Sequence, residues 1–414
     1  MRHRLERSYF LVAGLFIVFS AILKLQTLKF SHSENDERIY WQLATNLASG
    51  HGYTLQGTEL LSLFSPFQYN RPLFYHPPLF PALLVPFVVF GSPQSAVLIS
   101  WVGHFLCILA VAVIAKHLIG KQAETLTALS PRYWLPLLGV SVDPVLNFLS
   151  RKLWIDSILT GLVAMAISLF IASDRERFRR ATLLAGGLSL GLAALAKLTA
   201  LIAVPVALYC VFAQTARPRS ERIRWAFYSM IPVGLLVAPW LILFYVRTGA
   251  VLPGWVKPDD WSMQHYPFVR AAVNRSLDYY PVTLCLIVPL VLVLIAFARA
   301  AVEWRTNFLA REGLLWFACF LFVTTLLSAS GVGYSMRYLG PCIPAIYVML
   351  FAYLSNAQWG AQLLELLATL CISFSCLNAA PYLLSPFFNE IYTPSELYRA
   401  LELLHVGAAS AIGR

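Results

Sequence analysis

Apolar runs of about 17–25 residues serve as membrane spans, and this chain repeats them from end to end. Eleven such runs are read, at 9–28, 95–119, 122–148, 157–173, 181–196, 198–213, 226–246, 281–298, 313–329, 338–356 and 361–384. In water, so much apolar surface could not be buried by a single globule. The balance of residues agrees: 59% are hydrophobic and 12% charged, against roughly 25% charged in a soluble domain, and mean hydropathy is +0.68. The expected fold is an all-α polytopic membrane protein with about 11 transmembrane helices.

The net charge of +11 does not point to nucleic acid. Its basic residues gather in short connections between apolar runs, where the positive-inside bias places them. Met1–Arg7, Asp174–Arg180 and Arg217–Arg224 are such clusters. With the N-terminus in the cytoplasm, the long loops 29–94 and 247–280 and the tail 385–414 fall outside. The run Tyr9–Leu28 is long enough to span and lacks a small-residue cleavage site, so it reads as an uncleaved anchor. All seven cysteines lie in or at the ends of apolar runs and none forms a CxxC; they read as packing residues.

Polar residues therefore concentrate outside. In His32–Tyr53, the residues Ile39, Tyr40, Leu43 and Leu47 recur at helical spacing, with Ser33 or Asn35 as a cap and Gly50 as a stop. This predicts an interfacial helix of three turns with Asp36 and Glu37 at its start. An acidic pair there favours the helix dipole whatever else it does. Further on, prolines 72, 77, 78, 81 and 86 forbid a regular spanning helix, and Leu79–Phe90 is short. It reads as a re-entrant or horizontal element, with a short span as the alternative; irregular backbone at that depth lines a cavity or is buried in protein. In the tail, Thr393-Pro-Ser-Glu396 is a capping box before an apolar face of Leu397, Leu401 and Leu404, predicting a short surface helix.

Five segments together resemble the GT-C glycosyltransferases that use polyprenyl-phosphate sugars, in particular the protein mannosyltransferases and lipid A aminoarabinose transferases. Asp36-Glu37 with Tyr40, Ala44, Leu47 and Gly50-His-Gly-Tyr53 is similar to that family's acidic first-loop motif. Tyr75-His-Pro-Pro-Leu-Phe-Pro81 resembles its PPL(Y/F)P element, with His76 where some relatives carry lysine. Ser150–Asp156 resembles its acidic second outer loop, Gly191–Lys197 its GLxxLxK segment, and Arg337–Pro344 its RYxxPxxP. The resemblance covers about residues 30–345. It implies a transmembrane transferase unit at 1–384 with 29–94 as catalytic loop, and the tail 385–414 as an appendage.

Transfer from a lipid-phosphate sugar needs an acceptor hydroxyl that loses a proton, which a carboxylate can take. Asp36 is the candidate base, with Glu37 and Asp156 supporting. The leaving phosphate needs cations or donors, and Lys197, Arg337, His76 and Arg71 are the candidates. Tyr40, Tyr53, Tyr75 and Tyr338 are candidate substrate contacts. Lys197 interrupts a nearly uncharged run, and ionisable residues at membrane depth point to function, although a lysine snorkelling to the interface is the simple alternative. Asp156 either orients the acceptor, helps the base, or pairs with Arg151 or Lys152. No dedicated metal motif is present; a divalent ion held by His32, His51, His76 or His265 with Asp36 stays open.

The expected partners are a polyprenyl-phosphate-linked sugar, a lipid, glycan or protein acceptor, and membrane lipids. By the resemblance the reaction inverts the anomeric centre, and the expected home is a bacterial inner membrane with the site on its outer side. A flippase for lipid-linked sugars, an oligosaccharide polymerase or ligase, and an envelope scaffold are the competing readings. A flippase predicts internal repeats and midplane charges, which the chain does not display.

Overall fold

The computed structural model describes residues 2–29, 32, 35–55, 76–122, 131–173, 179–213, 217–249, 280, 284, 296–298, 300–327 and 336–356. Twelve helices of eight residues or more lie among them: α1 Arg2–Lys24, α2 Asn35–Ala48, α3 Leu79–Phe90, α4 Leu98–Gln122, α5 Pro131–Val142, α6 Pro144–Arg151, α7 Ile155–Ala172, α8 Arg179–Ala196, α9 Ala203–Phe212, α10 Arg219–Thr248, α11 Phe308–Leu327 and α12 Ile343–Asn356. Short 3-10 segments at Leu25–Lys29, Leu198–Ile202 and Met336–Cys342 join some of them. There is no strand among the described residues.

Among the described residues, five helices are long and apolar enough to cross a membrane: those within Phe10–Lys29, Pro93–Lys116, Ile155–Ala172, Arg219–Arg247 and Phe308–Leu327. Three shorter apolar helices accompany them. The count of eleven single spans is therefore not reproduced among the described residues. The runs at 198–213 and 338–356 are short helices that begin as 3-10 turns, and the run at 122–148 is divided. At 122–148, α4 runs on to Gln122, and from Pro131 the described residues are divided into α5 and α6 at Asp143-Pro144. Asp143 caps α6 by accepting from the Leu146 N–H at 3.0 Å, and Pro144 fits the first helical position because it has no N–H to satisfy. The buried Tyr347 hydroxyl donates to the other Asp143 oxygen at 2.8 Å, tying α12 to this break. Lys197, with extended backbone, separates α8 from the 3-10 turn before α9. The run at 281–298 lies largely outside the described residues; 361–384 and the tail helix lie wholly outside.

The main core joins α1 and α4–α12 through small and branched side chains such as Ala110, Val111, Ile114, Val163, Ile167 and Ala194. α4 and α7 pack closest, because Gly103 and Gly161 bring backbone to backbone: a Cβ on Gly103 would collide with the Ser157 carbonyl, and one on Gly161 with the Gly103 carbonyl. Small residues permit such approach where lipid gives no hydrophobic drive for association. α10 contains Pro232 and Pro239, tolerated because neighbouring helices and local adjustments re-satisfy the freed backbone groups.

A second, smaller core supports the site. Ile39, Tyr40, Leu43 and Ala44 of α2 bury against Phe80 and Leu84 of α3, with Ile155, Ile158, Trp240 and Phe244 closing it. The expected helix and its apolar face are thus present, and Gly50 ends the segment at φ +76°, a backbone region that favours glycine. α3 has 12 residues and so is about 18 Å long, too short for a hydrocarbon layer of about 30 Å. It packs under α2 as a supporting element.

Candidate active site

Four elements distant in sequence bring their charged residues to one place. Asp36 lies in the first turn of α2. Asp156 lies in the first turn of α7, a position favoured for a carboxylate by the helix dipole. Lys197 sits at the break after α8, and Arg337 in the 3-10 turn before α12. Arg337 donates to Asp36 Oδ2 through Nη1, and its Nε lies 3.9 Å from Asp156 Oδ2. Lys197 Nζ donates to Asp156 Oδ1 at 2.9 Å. Asp156 thus takes its cations from across the fold, not from Arg151 or Lys152. Two carboxylates face two cations, so the cluster is formally neutral.

Aromatic rings frame this cluster. The Tyr338 ring centroid lies 4.6 Å from Lys197 Nζ and 5.3 Å from the Arg337 guanidinium carbon. The Trp154 centroid lies 5.1 Å from the same guanidinium. Cations over ring faces at these distances are attracted by the ring quadrupole. Trp154 was missed in the sequence; its signal was an aromatic residue set between Lys152 and Asp156 in the acidic second-loop motif. The Asp156 side chain is 2% exposed, whereas Asp36 keeps 31% and Arg337 21%. Solvent-side access is therefore greatest at Asp36.

The adjacent acid points elsewhere. Glu37 Oε1 accepts from the Leu153 N–H at 2.8 Å and lies 2.8 Å from His32 Nδ1. With 1% exposure, this carboxylate joins the start of α2 to the turn that carries Trp154 and Asp156. It positions both acids.

His76 rests beside the Tyr40 hydroxyl, with 3.0 Å between Nδ1 and the oxygen. Burial, followed by the positive charge of Lys197, drives its imidazole down from about 6.5 to about 3, so the ring is neutral at physiological pH. Tyr40 also meets Phe80 edge-on at 5.2 Å. Tyr53 donates its hydroxyl to the Pro77 carbonyl at 3.1 Å and packs on Trp240. Both tyrosines are buried and hold the His76-Pro77 segment to α2. Arg71 and Tyr75 lie outside the described residues. For Asp36, burial alone would raise the carboxyl; the Arg337 guanidinium, with Lys197 adding to it, holds it below the ordinary carboxylate range.

Among the described residues no three His, Cys, Asp or Glu side chains form a group that could hold a metal ion. His32 and His76 face Glu37 and Tyr40 respectively, His51 is exposed beyond α2, and His265 lies outside the described residues.

The chain belongs to glycosyltransferase family 87, whose family model matches residues 74–330. With the neighbours that follow, this makes it a membrane glycosyltransferase of the GT-C class. That match includes His76, Asp156 and Lys197 and leaves Asp36 and Arg337 outside it. Solved structures share the fold. ArnT from Cupriavidus metallidurans bound to undecaprenyl phosphate superposes with TM-score 0.62 at 17% identity, covering 94% of this chain and 68% of that one. Its apo form gives 0.61 at 17% identity, with coverages of 94% and 67%. The archaeal oligosaccharyltransferase AglB from Archaeoglobus fulgidus, in complex with an inhibitory peptide and a dolichol-phosphate, gives 0.54 at 11% identity, with coverages of 91% and 56%. The chain thus spans about two thirds of ArnT and just over half of AglB. Among curated proteins none matches significantly in sequence.

Proposed function

We propose that this glycosyltransferase moves a sugar from a polyprenyl-phosphate donor to a hydroxyl of a lipid, glycan or protein acceptor on the outer side of a bacterial inner membrane, with inversion. The observation that carries the reading is the convergence of Asp36, Asp156, Lys197 and Arg337 from four elements. Two cations beside two acids suit a reaction that must accept a phosphate and deprotonate an alcohol. The undecaprenyl phosphate on ArnT and the dolichol-phosphate on AglB are further support for the donor class.

In this mechanism the donor phosphate occupies the cations. Arg337 gives up Asp36 for the phosphate oxygens and Lys197 reaches them beside Asp156, through charge-assisted hydrogen bonds. Asp36, freed from the guanidinium, regains basicity. The acceptor oxygen attacks the anomeric carbon from the face opposite the phosphate and its proton passes to Asp36. The carbon–oxygen bond to the phosphate breaks, and polyprenyl phosphate departs with the bonding pair, its added charge met by Arg337 and Lys197. Asp156 keeps both cations placed, and neutral His76 contributes a hydrogen bond instead of charge. The transferase unit is 1–384, with 29–94 as catalytic loop.

The test is release of free polyprenyl phosphate by full-length protein in lipid nanodiscs, offered a panel of polyprenyl-phosphate sugars and a membrane extract as acceptor. Asp36→Asn should lower the rate about 10²–10⁴-fold, the usual contribution of a general base, while donor binding persists. Unchanged release by that variant would remove Asp36 as the base. Binding without release from any donor would favour transport instead.

A further inference from the structure

Four helix ends meet at the membrane face opposite the site. α8 has 18 residues and so runs about 27 Å from its first residue to the Lys197 break. Its start, at Arg179-Arg180, lies beside the ends of α7 and α9 and the start of α10. These ends carry Arg179, Arg180, Arg217, Arg219, Arg222 and Arg224, with Glu221 the one acid of this corner among the described residues.

Part of this charge serves the fold. Arg179 Nε donates to the Ser173 carbonyl at 3.0 Å and Arg222 Nη1 to the Phe212 carbonyl at 2.6 Å, closing the ends of α7 and α9. Glu221 accepts from Trp225 Nε1 at 3.0 Å and lies 3.9 Å from Arg179 and 3.8 Å from Arg217. Arg180 and Arg224 have no such duty. Both are exposed, and their guanidinium carbons lie 5.5 and 5.6 Å from the centroid of the buried Trp225 ring. Both guanidinium groups therefore converge on one indole.

Their spacing is fixed at the level of the backbone too. α8 and α10 are in such close contact that a Cβ on Gly187 would collide with the Ser229 carbonyl. Next to the arginine pair, toward the membrane interior, Leu184 and Leu188 of α8 and Phe227 and Ile231 of α10 are exposed. An anion at this corner meets cations at one end and apolar surface at the other.

We propose that Arg180 and Arg224, braced on Trp225, bind the phosphate of an anionic glycerophospholipid, whose acyl chains lie along Leu184, Leu188, Phe227 and Ile231. The site is remote from the transferase cluster, and its ligand is a membrane lipid, not a substrate. Its occupancy would tie together the ends of four helices.

The experiment is native mass spectrometry of the full chain released from nanodiscs of equal phosphatidylglycerol and phosphatidylcholine. The native protein should retain phosphatidylglycerol. Arg180→Gln with Arg224→Gln should lower its retention by about 10-fold or more, on the usual contribution of a basic residue near an anionic surface. Trp225→Leu keeps every charge and should still lower it several-fold. Arg305→Gln, at an exposed arginine of the same face, should leave it unchanged. Melting temperature in phosphatidylcholine alone checks that each variant folds, and Arg224→Gln alone serves if the double variant does not. Equal loss with Arg305→Gln, or none with Trp225→Leu, would overturn the site as general charge attraction. Displacement of the lipid by millimolar inorganic phosphate would overturn its assignment to a lipid.

Discussion

At the scale of the residue, most of the candidate site was legible because charge in an apolar chain is expensive to place. Asp36, Asp156, Lys197 and Arg337 each stand out from their surroundings. Their pairing was not legible: Asp156 selects Lys197 and Arg337 across sequence distances that only tertiary packing closes. The division between Asp36 and Glu37 was half visible, since adjacent positions on a helix do not face the same way. One had to point into the fold, and Glu37 does. His76 supplies a pH prediction. Its folded-state value of about 3 lies below its ordinary 6.5, so between these values the unfolded chain binds a proton that the folded one does not. Stability therefore rises with pH across that window and falls as pH drops from 6.5 toward 3. Replacing His76→Gln should flatten the dependence of melting temperature on pH between 6.5 and 4, measured in detergent.

At the scale of the element, the amphipathic helix was legible and several span boundaries were not. Hydropathy averages over a window and does not register a one-residue break, so 122–148 looked continuous. The signal for its division was Asp143-Pro144, a capping residue followed by the proline that tolerates the first helical turn. Lys197 was marked as an interruption, and the break there is what aims its side chain at Asp156. The α4–α7 contact makes its own prediction. Gly161→Val places a branched side chain against the Gly103 backbone. It should destabilise the bundle by about 1–3 kcal/mol, the usual cost of overpacking, read as a lower melting temperature or denaturant midpoint. A surface substitution such as Arg305→Gln should not.

At the scale of the whole molecule, the site and the arginine corner occupy opposite ends of α7, α8 and α10. The positive-inside bias would then orient the molecule as a unit, and the proposed topology has the arginines toward the cytoplasm and α2 outside. A membrane-impermeant maleimide applied to intact cells should label His51→Cys, exposed beyond α2, above the background of the native cysteines. It should label Arg219→Cys only after the cells are opened. The reverse pattern would turn the protein over and move the acceptor to the cytoplasm.

The ion pair between Asp36 and Arg337 has a kinetic meaning as well. A carboxylate fastened beside a guanidinium acts as an inhibitor tethered in place, present at an effective concentration set by the fold instead of by the cell; even short flexible linkers reach millimolar values. On the proposed mechanism, a phosphate that reaches Arg337 has to displace it, and a phosphate that has given up its sugar is challenged by it again. Donor affinity would then be moderated by this exchange, and the aspartate proposed to begin the transfer would also hasten the spent lipid on its way.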